Sequence, residues 1–181
     1  MSFLPLLDRL LEKDVSFYST DEGCIIFLHY ICTQHMLTKG IKVRTIELIR
    51  QKNGQDLSRI WDIMSHMFSV NIGASLFLER KKRKLVLIEN NTDLTFITGD
   101  QPVINLHGNR PHPPTTLSLY YPLAPRHALI LGEVDEDPVP STDRLARAQV
   151  LALNTKIVEA SHSQVFGHSE ASIARSLGGA A

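Results

Sequence analysis

Apolar residues in the first half of the chain recur three and four positions apart, which is the spacing of one helix face. This pattern predicts helices over residues 3–13 and 21–38, with Gly40 ending the second of them. A third and longest helix is predicted after Asp56, because Asp commonly caps helices. The apolar positions that define it are Leu57, Ile60, Trp61, Met64, Met67 and Phe68. Residues 1–80 are therefore predicted to be mainly helical.

An extended pattern replaces the helical one after the basic run at residues 80–84. Short runs with high β propensity occupy residues 85–88, 94–97, 116–121 and 128–131. Because a polar turn joins the first two runs, residues 84–98 are predicted to form an antiparallel hairpin that leaves Asp100 at the mouth of a loop. A proline-rich surface loop is predicted at residues 110–115.

A linker rich in proline and acidic residues, 135–140, separates these runs from a last apolar helix at 141–161. The order of elements predicts an α+β fold with N-terminal helices, a small antiparallel sheet of about four strands at 83–133, and a long C-terminal helix that packs on it. The length of 181 residues favours a single domain over residues 1–168, with 169–181 as a C-terminal tail.

Charge and hydropathy narrow the classes of partner. Lys plus Arg number 19, as do Asp plus Glu, so the chain lacks the net positive charge that draws many proteins to nucleic acid. A nucleic-acid partner is therefore not favoured. No stretch approaches about 18 consecutive apolar residues, and Asp8 and Arg9 interrupt the N-terminal apolar run, so neither a membrane span nor an export signal is predicted. A cytoplasmic location is expected.

Two segments together resemble a known family signature. Residues 96–103 read FITGDQPV and residues 121–126 read YPLAPR, which is similar to the FITSDNPV and PLSP segments of an uncharacterised bacterial family called domain of unknown function 4238. Residues 33–39, TQHMLTK, resemble its helical Q-x-x-R-T-K segment, and Asn154 followed by Ala160 resembles its C-terminal helix. The resemblance covers residues 20–166 and implies no established activity.

The chain departs from the family pattern at two places. The family's opening segment, of the type HYVPQ-x-L, would precede Met1, so we expect the chain to be a fragment, a truncated homologue or a trimmed form. Leu37 stands where the family pattern has arginine. If that arginine belongs to an active site, this copy is expected to be inactive.

Asp100 is the first candidate for chemistry, because a carboxylate between a strand and Gln-Pro is expected to face a cleft. Glu89, near the end of the preceding predicted strand, could supply a second carboxylate for nuclease-like chemistry, with Arg126 or the basic run holding the anion. The alternative for Asp100 is structural. An Asp two residues before proline commonly fixes a turn through a hydrogen bond to nearby backbone.

Gln34 and Asn154 are the candidate binding residues besides Arg126. Gln34 shares a helix face with Tyr30 and residues 37–38, and that face would suit phosphate if Leu37 were arginine. Asn154 interrupts an apolar helix, so it is expected to be buried and hydrogen-bonded to loop backbone, either as structural support or beside a site.

No metal site and no cofactor is assigned from the sequence. His107, His112 and His127 stand at no recognised ligand spacing with Cys or carboxylates. The chain has no glycine-rich phosphate loop, nucleophile elbow or helical His-Glu-x-x-His. The basic run at 80–84 lacks interleaved aromatic residues and is interpreted as a solvated connector rather than a phosphate contact.

The sequence leaves the function unknown and favours a non-catalytic or inactive binding or regulatory module, with an unknown protein partner or a phosphate-bearing ligand. The alternative is a nuclease-like or phosphoester-acting hydrolase that uses Asp100. Convergence of Asp100, Glu89, Asn154 and Gln34 in one cleft would favour the hydrolase, and their dispersal would favour the binding module.

Overall fold

A computed structural model describes residues 4–108, 116–134 and 145–177, which form six α-helices and six β-strands. The helices are α1 (Leu4–Leu11), α2 (Asp21–Met36), α3 (Lys39–Asn53), α4 (Trp61–Leu78), α5 (Arg147–Ala160) and α6 (Glu170–Ser176). The strands are β1 (Arg83–Glu89), β2 (Thr98–Gly99), β3 (Ile104–Asn105), β4 (Leu119–Ala124), β5 (His127–Glu133) and β6 (Val165–Phe166).

The main sheet is antiparallel with the strand order β1-β5-β4-β3, and β2 pairs separately with β6. Successive residues of β5 point to opposite faces of the sheet: Ala128 and Ile130 belong to one core cluster, Leu129 and Leu131 to the other. Because both faces are covered, β5 is an unbroken apolar run instead of an alternating one.

Helices lie on both faces of the main sheet. Residues of α1, α2 and α4 share a core cluster with Leu129 and Leu131. On the other face α5 packs through Val150 and Ile157 against the cluster that contains Ile130. The predicted α+β class, with an antiparallel sheet of four strands, is confirmed.

The predicted hairpin over residues 84–98 is wrong. β1 pairs with β5, and residues 94–97 are not a strand. The tight hairpin of the main sheet is β4–β5, which turns at Pro125 and Arg126. The apolar side chains of 94–97 are buried in the core beside α5. Their composition therefore reflects burial and not strand pairing.

Two boundaries in the helical half also differ from prediction. Residues 39–53 form α3, which is largely exposed and so lacks a clear apolar stripe; it ends at Gly54 in the left-handed conformation, with φ of 69°. Asp56 does not cap α4, since its carboxylate accepts the Ser58 N–H at 2.9 Å and the helix begins at Trp61. Within the described residues no helix is long and apolar enough to cross a membrane.

The predicted long C-terminal helix is shorter and is not the last element. α5 spans Arg147–Ala160, and β6 and α6 follow it, so the segment expected as a tail contains a helix. The polypeptide leaves α5 at Ser161 to pair β6 with β2, a long-range contact with no local sequence signal. Residues 141–144, the proline-rich loop at 110–115 and the linker at 135–140 lie outside the described residues.

Candidate functional site

The FITGDQPV segment lies in an irregular stretch between β1 and β3, residues 90–103, which we call the signature loop. Its buried apolar side chains are at most 3% exposed (Leu94, Phe96, Ile97 and Val103). Only the two residues of β2 within it are in regular structure. Buried backbone without regular structure must find other hydrogen-bond partners. Side chains from distant parts of the chain supply many of them.

Arg126 and Asn90 hold the start of the signature loop. Arg126 donates from Nη1 to the carbonyls of Asn90 and Thr92, each at 3.0 Å, and the Asn90 N–H donates to the Arg126 carbonyl at 2.9 Å. The buried Asn90 side chain accepts from the Thr92 N–H at 3.0 Å and donates to the Leu94 carbonyl. Arg126, a candidate for anion binding, thus directs its guanidinium to loop backbone.

Asn154 on α5 holds the middle of the signature loop and is fully buried. Its amide nitrogen donates to the Thr95 carbonyl at 2.8 Å and to the Ser176 hydroxyl at 2.9 Å, and its oxygen accepts the Ile97 N–H at 3.2 Å. These bonds match the expectation that a buried Asn in this helix would bind loop backbone. They join α5, α6 and the signature loop at one point.

Gln101 joins the signature loop to the end of α2, a contact that sequence reasoning missed. Its side chain is 1% exposed; the amide nitrogen donates to the carbonyls of His35 (3.0 Å) and Val103 (2.9 Å), and the Thr38 hydroxyl donates to the amide oxygen. The His35 Nδ1 donates to the Val103 carbonyl at 2.9 Å, and burial holds the pKa of this imidazole below its usual value. The clue available from sequence was that Gln101 and Thr38 belong to separate segments of one family resemblance.

Asp100 binds the segment that follows α5. Its carboxylate oxygens accept the backbone N–H of His162 at 2.7 Å and, for Ser163, both the N–H at 2.8 Å and the hydroxyl at 2.9 Å. Desolvation by itself raises the pKa of the carboxyl, but these hydrogen bonds outweigh it and the pKa lies below its usual value. The structural alternative predicted that Asp100 would bond to backbone of its own turn. Its carboxylate does bond to backbone, but to N–H groups that lie 62 and 63 residues further along the chain.

None of the hydrogen bonds described above involves Glu89 or Gln34, although each is the chain neighbour of a residue that takes part, Asn90 and His35 respectively. Glu89 ends β1 opposite His127, and Lys13 donates to its carboxylate at 2.6 Å. Gln34 is half-buried on α2, and Leu37 is 43% exposed at the end of that helix. Asp100, Glu89 and Asn154 therefore engage three different sets of partners. Ligand binding by these residues stays a prediction.

A cleft of about 260 Å³ opens between the signature loop and the β4–β5 turn. Ten of the residues that the structure describes line it: Phe96, Ile97, Thr98, Pro122, Leu123, Ala124, Pro125, Phe166, Gly167 and His168. The Phe96 N–H donates to the Pro125 carbonyl at 2.9 Å, which fixes the two walls relative to each other. Seven lining residues come from the two signature segments, and three come from β6 and the residues after it. Sequence reasoning did not single out these last three.

The two arginines of the basic run contact other parts of the fold, and Lys81 and Lys82 between them are exposed. Arg80 donates to the Asp21 carboxylate at 2.8 Å and lies 4.0 Å from the centre of the Phe77 ring. The buried Arg83 donates to the Leu117 carbonyl at 2.8 Å and pairs with Glu79 at 3.2 Å. In the part of the chain that the structure describes, which omits His112, no group of three or more His, Cys, Asp or Glu could hold a metal ion.

Comparison with known proteins matches the chain to a protein family. No curated protein and no solved structure matches the chain. The family model DUF4238, described as a protein of unknown function, matches residues 27–171. This range contains the signature loop, Asn154 and every residue of the cleft. The chain therefore belongs to the DUF4238 family of proteins of unknown function.

Proposed function

We propose that the chain is a non-catalytic binding module, and that its partner is a protein that places one aromatic side chain in the cleft between the two signature segments. The observation that supports this proposal is the shared cleft itself. Residues 96–98 and 122–125 are separated in sequence and line the same recess. If the recess is a binding site, the hydrogen bonds of Asp100, Arg126 and Asn154 support binding because they keep one wall of the recess in position.

The size and chemistry of the cleft select the ligand class. Pockets for drug-sized molecules measure about 300–1,000 Å³, so a cleft of about 260 Å³ suits a single side chain better than a whole cofactor. Phe166, which is 49% exposed, and the rings of Pro122 and Pro125 offer flat apolar surface to an aromatic ring. Among the described residues that line the cleft, His168 is the single ionisable one. An anionic phosphate would find little charge there.

The hydrolase alternative has weaker support. Asp100 would have to act as a base or a metal ligand, yet its carboxylate already accepts three hydrogen bonds from residues 162–163. Those bonds also lower its pKa, which makes the carboxylate a poorer proton acceptor near neutral pH. We also propose that the module acts in the bacterial cytoplasm, where thiols stay reduced; Cys24 and Cys32 are both free.

The test is an NMR titration of the ¹⁵N-labelled chain with N-acetyl-phenylalanine amide, with N-acetyl-alanine amide and inorganic phosphate as comparison probes. We expect saturable shifts of the backbone amides of Thr98, Leu123 and Gly167 with the aromatic probe alone. Phe166→Ala should abolish them. Leu177→Ala, which removes a side chain of similar exposure (55%) outside the cleft, should not. Saturable phosphate binding at the cleft, or equal aromatic binding by Phe166→Ala, would refute the proposal.

A further inference from the structure

β1 is an outermost strand of the main sheet, and among the described strands it pairs with β5 alone. It contributes seven residues to this edge, whereas β3 contributes two residues to the opposite edge. Sheets usually keep their edge strands short or covered, because unpaired backbone groups can pair with another chain. The outer edge of β1 is therefore the place where a further strand can join the sheet.

The register of β1 with β5 identifies the backbone groups that face outward. The Val134 N–H donates to the Lys82 carbonyl at 2.9 Å. Because bonded and non-bonded pairs alternate along an antiparallel ladder, residues 84, 86 and 88 bond to β5 as Lys82 does. Leu85 and Leu87, between them, direct their N–H and C=O groups away from β5. No hydrogen bond from a described residue reaches these groups.

The side chains at this edge are incompletely covered. Leu85, Val86 and Leu87 are half-buried, although residues 128–132 of the neighbouring β5 are all buried. Leu85 and Leu87 pack with the core cluster of α1, α2 and α4, and Val86 packs with the cluster of α5. A strand added beside β1 would cover both rows of side chains and pair with the outward backbone groups. An extended segment with apolar side chains therefore fits this edge.

Charge narrows the sequence of such a segment. Three lysines at the start of β1 pair with no carboxylate of the described residues: Lys81, Lys82 and Lys84. The carboxylates of Glu79 and Glu133 pair instead with Arg83, at 3.2 and 3.5 Å. At the far end of the strand Lys13 pairs with Glu89 at 2.6 Å. Within the described residues the edge thus has excess positive charge where β1 begins, and acidic residues would complement it.

We propose that the outer edge of β1 binds an extended, acidic segment of another protein, which joins the main sheet as an antiparallel fifth strand. The backbone of the segment bonds to the outward groups of β1, and its acidic residues lie beside Lys82 and Lys84. A second copy of β1 fits less well, because its own acidic residue, Glu89, already pairs with Lys13. The edge shares no residue with the cleft, so the inference does not rest on the proposed binding function.

The first test is amide hydrogen exchange of the unaltered chain, followed by NMR. The amides of Leu85 and Leu87 should exchange faster than those of Val86 and Ile88, which bond to β5. Protection of Leu85 and Leu87 in dilute protein would overturn the proposal, because other residues of the chain would then cover the edge. Protection that develops only as the protein is concentrated would overturn it in favour of a second copy.

The second test is binding of the peptide acetyl-TVTVTEE-amide, whose glutamates fall beside the start of β1 in an antiparallel pairing. We expect saturable binding that slows exchange of the Leu85 and Leu87 amides. N-methylation of the central residues of the peptide removes backbone donors but keeps the side chains, so it should weaken binding by at least about tenfold. Equal binding of the methylated peptide, or no saturable binding up to millimolar concentration, would overturn the proposal.

A third test addresses charge. The neutral peptide acetyl-TVTVTQQ-amide should bind roughly threefold to tenfold more weakly than the acidic one at low salt. The acidic peptide should lose a similar factor with a chain carrying Lys82→Gln and Lys84→Gln. Lys52→Gln, at an exposed lysine on α3, is the matched control and should bind like the unaltered chain. Equal binding of the two peptides would show that the lysines are already neutralised, for instance by the acidic residues at 135–137, and would overturn the assignment of an acidic partner.

Discussion

Replacing Asn154 by alanine should destabilise the protein more than any other single change in the polar contacts of the signature loop. The Asn154 side chain is fully buried and binds three groups: the Thr95 carbonyl, the Ile97 N–H and the Ser176 hydroxyl. The Ser176 hydroxyl keeps its bond to the Ser172 carbonyl, at 2.9 Å, when Asn154 is removed. The two backbone groups lose their side-chain partner in the interior.

The magnitude follows from those two groups. An unsatisfied buried donor or acceptor costs about 1–3 kcal/mol, and partial relaxation or water entry relieves some of that. We therefore expect Asn154→Ala to lower the free energy of unfolding by about 3 kcal/mol. For a chain of this length that corresponds to a fall in Tm of roughly 6–12 °C.

The assay is urea denaturation followed by circular dichroism, with amide hydrogen exchange at Thr95 and Ile97 as the local readout. Thr155→Ala is the control, because the neighbouring Thr155 is on the exposed side of α5 and its hydroxyl donates to the Leu151 carbonyl of the same helix at 2.9 Å. We expect a change within about 0.5 kcal/mol for this surface substitution. The Ile97 amide should exchange faster in Asn154→Ala and stay protected in Thr155→Ala.

A variant with the same number of side-chain heavy atoms separates hydrogen bonding from loss of packing. Asn154→Leu leaves no cavity but offers no donor or acceptor, so it should lose at least nearly as much stability as Asn154→Ala. If Asn154→Leu is as stable as the unaltered chain while Asn154→Ala is not, the loss in alanine comes from a cavity. That result would refute the view that Asn154 stabilises the signature loop through its hydrogen bonds.

Three further predictions concern the other candidate residues. Because the pKa of Asp100 is lowered in the folded protein, its contribution to stability is present above its unfolded pKa and is lost as pH falls through the folded value. Asp100→Asn should therefore lower the free energy of unfolding by about 1 kcal/mol at pH 7. This difference from the unaltered chain should shrink below about pH 4 when stability is measured in acid titrations. Leu37→Arg, at a 43% exposed position, should increase affinity for inorganic phosphate at low salt if that end of α2 is an anion site, and equal binding by both forms would remove that idea. The unaltered chain should show no turnover of nucleic acid or a phosphate ester with Mg²⁺, Mn²⁺ or Zn²⁺, and turnover that disappears in Asp100→Asn would make the hydrolase alternative primary.

The local sequence pattern was enough to predict that the first half of the chain is mainly helical, that the fold is of the α+β class and that Asn154 is buried. Helical periodicity is a property of neighbouring residues, so α2 could be predicted from its apolar positions without knowledge of the rest of the fold. An amide within an apolar helix must find partners, so hydrogen bonding by Asn154 was also foreseeable. α3 was missed because it is largely exposed and buries only Gly40 and Ile46, which is too few positions to form a clear apolar stripe.

Only the tertiary structure decided which strands pair and which groups within the fold are joined by hydrogen bonds. Residues 85–88 and 94–97 both have high β propensity, and nothing local shows that the first pairs with β5 while the second is bonded by Asn154 and the Pro125 carbonyl. The partners of Asp100 lie 62 and 63 residues away, beyond any turn rule. Pairing and convergence depend on which buried backbone groups remain to be satisfied once the helices have packed on the sheet, and that depends on the whole chain at once.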